Sequence, residues 1–171
     1  MGKALLMICV FSCCTLTGLM VATKLRLRYD CLLGLLNSLR QLRAKMEYSA
    51  LPLFEIVKRI GDARTSVLWD SFSLQLEKGD AVAEAWKRAV HDASSKEEMF
   101  GTLKEKESDA LSDFISSLGK HDLATQRKAI NVIELQLQEC LDEAKSELSK
   151  KGKLYSSIGM LCGICGAILI W

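Results

Sequence analysis

Charge is confined to the middle of this chain. The sequence has 23 Lys and Arg and 21 Asp and Glu, and all of them except Lys3 lie between Lys24 and Lys153. Two stretches, Ala4–Thr23 and Leu154–Trp171, therefore carry no charge over 20 and 18 residues. At about 1.5 Å per helical residue they reach roughly 30 and 27 Å, against a hydrocarbon core about 30 Å thick. The pattern predicts a transmembrane helix at 4–23, a helical domain at 24–153 and a second transmembrane helix at 154–171. It argues against a freely soluble globule, and the 130 residues between the spans suffice for one compact core.

The net charge of +2 hides a division. Lys24, Arg26 and Arg28 follow the first apolar stretch, and Lys150, Lys151 and Lys153 precede the second. Without these six, the central segment holds 16 Lys and Arg against 21 Asp and Glu, an acidic body between two basic cuffs. By the positive-inside rule these residues set orientation, with the central domain in the cytoplasm and both termini outside. The cuffs also suit anionic lipid headgroups. Bases split between two membrane borders around an acidic body do not make a nucleic-acid surface.

The first stretch differs from a signal peptide in lacking a small-x-small cleavage pattern and in its length, so a retained span is expected. The second carries Ser156, Gly159, Gly163 and Gly166 at helical spacing. Small residues let helix backbones approach closely in lipid, and Cys14 and Gly18 offer a matching face on the first span for transmembrane packing. Seven cysteines, five of them in the two apolar stretches, imply no disulfide framework. Cys162-x-x-Cys165 lacks the second ligand pair of a zinc site.

Between the spans the chain has one proline, few valines and no period-two alternation, so an all-α fold is expected. Leu25, Tyr29, Leu32, Leu36, Leu39, Arg43 and Met46 recur at helical spacing and predict a helix over 26–48. Pro52 suits the first turn of a second helix that stops at Gly61. Leu68, Phe72 and Leu76 predict a third over 65–78, ended by Gly79. Asp80 is read as the cap of a fourth running to about His91, followed by a polar loop over 92–100 with room for a helical turn. Thr102-x-x-Glu105 has the form of a capping box for a fifth helix, which stops at Gly119. Asp122 caps a sixth, whose apolar residues Leu123, Ile130, Ile133, Leu137, Leu141, Ala144 and Leu148 continue to about Lys151. Six one-sided stripes predict a six-helix antiparallel bundle.

No phosphate-cradling glycine loop is present, and His91 and His121 lack the partners of a zinc-binding helix. No enzyme, metal or cofactor is expected. The one arrangement of catalytic residue types, His121 beside Asp122 with Cys140, reads more simply as a capped turn.

Two stretches carry a family likeness. Leu76-Glu77-Lys78-Gly79-Asp80-Ala81-Val82-Ala83-Glu84-Ala85-Trp86 resembles the helix-Gly-helix turn of the type II secretion system F domain. Leu118-Gly119-Lys120-His121-Asp122 with Gln126, the long helix after it, Lys153-Leu154-Tyr155 and the apolar C-terminal stretch resemble the stage III sporulation protein AB family, as does Leu51-Pro52-Leu53-Phe54-Glu55. The single domain departs from secretion platform proteins, which usually have two. The resemblance implies an F-domain-like bundle flanked by the two spans. It also implies a non-enzymatic platform in a secretion-like complex of endospore formation, in the mother-cell membrane around the forespore. An AA-type sporulation ATPase and other proteins of that complex are the implied partners; a second copy of the chain is a separate candidate that the resemblance does not imply. The competing reading is a membrane-anchored coiled-coil scaffold dimerising through its sixth helix.

Overall fold

The computed structural model describes residues 2–48, 53–118, 120, 123–152 and 157. Side chains are described for all of these except 2–11, 14, 15, 48, 53, 54, 123, 151 and 152. Six helices follow one another: α1 (Gly2–Tyr48), α2 (Leu53–Val57), α3 (Ser66–Glu77), α4 (Val82–Lys96), α5 (Glu105–Ser117) and α6 (Leu123–Glu147). A 3₁₀ segment, Glu98–Thr102, links α4 to α5, and π turns over Leu148–Gly152 follow α6. No strand occurs among the described residues, as the sequence pattern requires. The described residues divide into two compact units, one being Asp30–Asp142 and the other the residues up to Tyr29 together with those from Glu143.

Within Asp30–Asp142 the core is built by leucine-rich helix faces. Leu32, Leu35, Leu36, Leu39 and Leu42 of α1 are fully buried, as are Leu68 and Phe72 of α3, Leu111 and Ile115 of α5, and Ile130, Ile133 and Leu137 of α6. Each such side chain contributes roughly 1.5–3 kcal/mol relative to exposure. Trp69, Phe72 and Trp86 form an aromatic triad with ring centroids 5.4 to 6.2 Å apart in tilted and edge-on geometry. Edge-to-face pairs add about 0.5–1.5 kcal/mol each beyond their area. α1 and α6 run antiparallel in this unit. Arg40 donates to Gln138 Oε1 at 3.1 Å, and Arg43, further along α1, donates to Glu134 Oε2 at 2.7 Å and Asn131 Oδ1 at 3.1 Å, earlier on α6.

The turn after α3 shows why Gly79 ends it. The Gly79 N–H donates to Leu76 O at 3.1 Å and the Asp80 N–H to Gln75 O at 3.3 Å, the paired bonds of a Schellman motif. That motif puts its closing residue in the left-handed region, and Gly79 has φ +88°. Asp80 does not cap α4. The cap position is held by Ala81 without a side-chain bond, and the Asp80 carboxylate accepts from Arg88 Nη1 at 2.8 Å. An arginine one and a half turns along the next helix thus takes the acceptor that short-range spacing assigned to the helix end.

Two further boundaries differ from the sequence expectation. α4 continues through the polar stretch to Lys96, because buried Ala93 extends the face of Ala85, Trp86 and Ala89. Beyond it Met99 and Phe100 tuck the 3₁₀ segment into the core. The acceptor at the start of α5 is Glu107, whose carboxylate takes the Lys104 N–H at 2.8 Å. Thr102 turns the other way and donates to Met99 O at 2.6 Å.

The link before α3 is latched onto α1 by a small polar network. Ser38 Oγ donates to Gly34 O at 2.8 Å and lies 3.0 Å from Thr65 Oγ1, with both residues fully buried. The Asp62 N–H donates to Ser38 Oγ at 3.3 Å, and the Asp62 carboxylate accepts from Asn37 and from the Arg64 N–H at 3.0 Å each. The latch satisfies polar groups that would otherwise be orphaned beneath the loop.

Candidate functional site

The basic residues at the borders are the first candidates, and the structure separates them. Lys24, Arg26 and Lys150 are exposed, and the side chains of Lys151 and Lys153 lie outside the described residues. Arg28 is only 4% exposed. Its guanidinium donates to Glu147 Oε2 at 2.7 Å and to Glu143 Oε2 at 3.4 Å. Glu143 and Glu147 are four residues apart and so share one face of α6, where they can grip the two arms of one guanidinium fork. Sequence reasoning placed Arg28 among the orientation-setting residues and did not find this pairing. The available signal was a pair of carboxylates at i, i+4 near the end of an amphipathic helix, which reads equally well as a solvated face.

Of the small residues expected to pack in the membrane, Gly18 is buried. The Cys14 side chain, Ser156, Gly159, Gly163 and Gly166 lie outside the described residues, as do the turn residues Pro52, Gly119 and Asp122. Ala4–Thr23 falls within α1, and Leu16, Leu19 and Met20 there are 59%, 49% and 65% exposed. No helix is long and apolar enough to cross a membrane among the described residues, which include only half the side chains of 4–23 and, of 154–171, Ser157 alone.

The domain offers few reactive groups. His91 is exposed at a distance of 4.0 Å from Asp92, and the neighbourhood of His121 and Asp122 lies outside the described residues. Cys31 is fully buried, and its thiol is pushed up to about 12 by burial first and by the nearby carboxylates of Glu107 and Glu97 second. A thiol so protonated is a packing group and not a nucleophile. Among the described residues no group of three or more His, Cys, Asp or Glu is placed to hold a metal ion. A cavity of about 210 Å³ lies between α1, α3, α4 and α5, with walls of Leu35, Leu68, Trp86, Phe100 and Leu111 and with Ser94 and Ser108 as its polar groups. Apart from its serine hydroxyls, this lining supplies no acid, base or nucleophile.

The domain is all-helical and has no assembled reactive site among its described residues, and charge-free stretches flank it. The family model described as stage III sporulation protein AB matches residues 3–171. This chain belongs to that family. Stage III sporulation protein AB of Bacillus subtilis (strain 168) is 30% identical over an alignment of 141 residues, and the match covers 78% of this chain and 78% of the relative. A solved structure of stage III sporulation protein AB superposes with a TM-score of 0.52 at 27% identity, covering 73% of this chain and 93% of that one. The expected family is therefore the observed one, and its members matched here are sporulation proteins. Family membership embraces both charge-free stretches, since the matched residues run through each of them.

Proposed function

We propose that this chain is a non-enzymatic membrane platform of a secretion-like complex required for endospore formation. In this reading Ala4–Thr23 and Leu154–Trp171 cross the mother-cell membrane around the forespore, and the domain between them lies in the cytoplasm with both termini outside. There it docks an AA-type ATPase and other members of the complex. The observation that carries the anchoring half is the exposure of Leu16, Leu19 and Met20 along α1 within a charge-free stretch. The polar groups of that stretch support it. Thr17 donates to Cys13 O at 2.7 Å and Thr23 to Leu19 O at 2.9 Å, so both hydroxyls are satisfied by their own helix and need no water.

The docking half is supported by family membership and by the acidic balance of the central segment, which carries no reactive constellation among its described residues. The scaffold reading is less well supported, because Ile130, Ile133, Leu137 and Leu141, the stripe a sixth-helix coiled coil needs, are already buried within the fold. Two measurements test the proposal. The full chain should resist carbonate extraction from membranes, and Leu16→Arg, which costs about 3 kcal/mol at a span centre, should release its N-terminal anchor. Capture of the detergent-solubilised chain should retain the sporulation ATPase. Full extraction by carbonate would sink the anchoring half, and absence of the ATPase from the captured complex would sink the docking half.

A further inference from the structure

Two features meet at the end of α6. The buried stripe of that helix has its last member at Ala144, 1% exposed, and Leu148 is already half-buried. On either side of Ala144 stand Glu143 and Glu147, the two carboxylates that hold Arg28. Immediately afterwards the helix widens to π turns over Leu148–Gly152, where Ser149 Oγ donates back to Ser146 O at 3.1 Å. A π turn takes in an extra residue, breaks the 3.6-residue register that kept one face buried, and marks places where helices bend. The ion pair is therefore the last fixed point of α6 before the regular ladder ends.

We propose that Arg28, Glu143 and Glu147 form a clamp that locks α6 to α1 as far as Glu147, and that Leu148–Gly152 is the hinge beyond it. The clamp divides the chain mechanically. Within the unit formed by the residues up to Tyr29 and those from Glu143, the clamp keeps 143–147 fixed to α1, and bending begins in the five residues that follow. The purpose of such a joint rests on the platform reading, since it would set how movement of the domain is passed toward the second apolar stretch. Its existence does not rest on that reading. Arginine suits the position because its planar fork holds both carboxylates at once and stays protonated at any physiological pH.

Hydrogen exchange on the full chain in detergent micelles tests this. Amides of 143–147 should exchange at least about tenfold more slowly than those of 148–152. Arg28→Gln should speed exchange at 143–147 by about tenfold or more while leaving 130–141 unchanged. The exchanged set, Arg28→Glu with Glu147→Arg and Glu143→Gln, which leaves no carboxylate facing the one introduced at position 28, should restore protection. Equal protection on both sides of Glu147, or no effect of Arg28→Gln at 143–147, overturns the clamp. So does faster exchange throughout 130–141, which would make the pair a support of the whole fold. Should Arg28→Gln fail to fold, Arg28→Lys, which keeps the charge and loses the fork, reads the same boundary. Carbonate extraction of the same preparation reports separately on anchoring, so loss of the platform reading and loss of the clamp are told apart.

Discussion

Gly34 is the position where a single methyl group should do the most local damage. It lies in the interior of α1, where replacing glycine by alanine ordinarily gains about 0.5–1 kcal/mol from the entropy of the unfolded chain. Here a Cβ would meet Thr65 Cγ2 at 2.8 Å and Arg64 Cβ at 3.2 Å. The first distance is too short for two carbons, and Thr65 cannot easily turn away because its hydroxyl is engaged with Ser38 Oγ at 3.0 Å. Overpacking of this kind costs about 1–3 kcal/mol, and a disturbed hydrogen bond about 1 more. The balance is a destabilisation of about 2 kcal/mol, or about 4–8 °C in Tm for a chain of this size. Thermal melting of the full chain in detergent, followed by far-ultraviolet circular dichroism, reads it. Thr65→Ser removes the clashing methyl and keeps the hydroxyl. In that background Gly34→Ala should turn neutral or stabilising, a coupling of roughly 1–2 kcal/mol in the double-mutant cycle. A lone Gly34→Ala that melts as high as the parent, or a double variant that recovers nothing, would refute the close-approach argument.

The two faces of α6 should respond oppositely to truncation. Ile133→Ala should cost about 2–5 kcal/mol and Leu135→Ala under about 0.5, since Ile133 is 2% exposed and Leu135 67%; equal losses in denaturant titration would mean the faces are misassigned. Asp62 makes a pH prediction. Its carboxyl is held below its ordinary range, chiefly by the Arg64 N–H and then by Asn37. A depressed folded pKa contributes stability above the unfolded value, so the advantage of the parent over Asp62→Asn should be full at pH 7. It should begin to narrow near pH 4 and close as pH falls through the lowered value. A gap that is constant with pH would remove the electrostatic part of the latch. Finally, with its thiol near 12, Cys31 has on the order of 10⁻⁴ thiolate at pH 8, so it should resist alkylation until the chain unfolds. Rapid labelling of Cys31 in the native chain would show that its cover opens.

What was legible in the sequence followed from periodicity, which has one dominant physical cause. Leu32, Leu36 and Leu39, Leu68 and Phe72, and Ile130, Ile133 and Leu137 all lie where three-and-four spacing puts them, because burial of one helix face outweighs every local preference along it. Helix ends were read less well, since a cap is decided by a single hydrogen bond with competing donors and acceptors. Asp80 turned to Arg88, Thr102 to Met99, and Glu107 took the N–H at the start of α5. Each alternative lies within a few residues, and the difference of about 1 kcal/mol among them depends on neighbours brought up by the fold. The latch of Ser38, Asp62 and Thr65 and the Arg28 pair were invisible for a related reason. Their partners are 24 to 27 and 115 to 119 residues away, and polar side chains at those separations carry no period to betray them.

Arg28 carries two readings, one taken from the sequence as an orientation-setting charge and one taken from the fold as the partner of Glu143 and Glu147. Under the proposed topology, orientation is decided while the chain inserts, before α6 has been made, and at that moment Arg28 counts as a positive charge a few residues past the first apolar stretch. It counts toward the positive-inside bias with Lys24 and Arg26. Once Glu143 and Glu147 arrive, more than a hundred residues later, the guanidinium is buried and paired with them. Under the same proposal, contact with anionic lipid in the folded chain would fall to the exposed residues of the cuffs, Lys24, Arg26 and Lys150 among those described. On the proposed topology one charge would serve twice, first in orienting the chain and afterwards in holding the end of α6, and the two roles do not compete because they are separated in time.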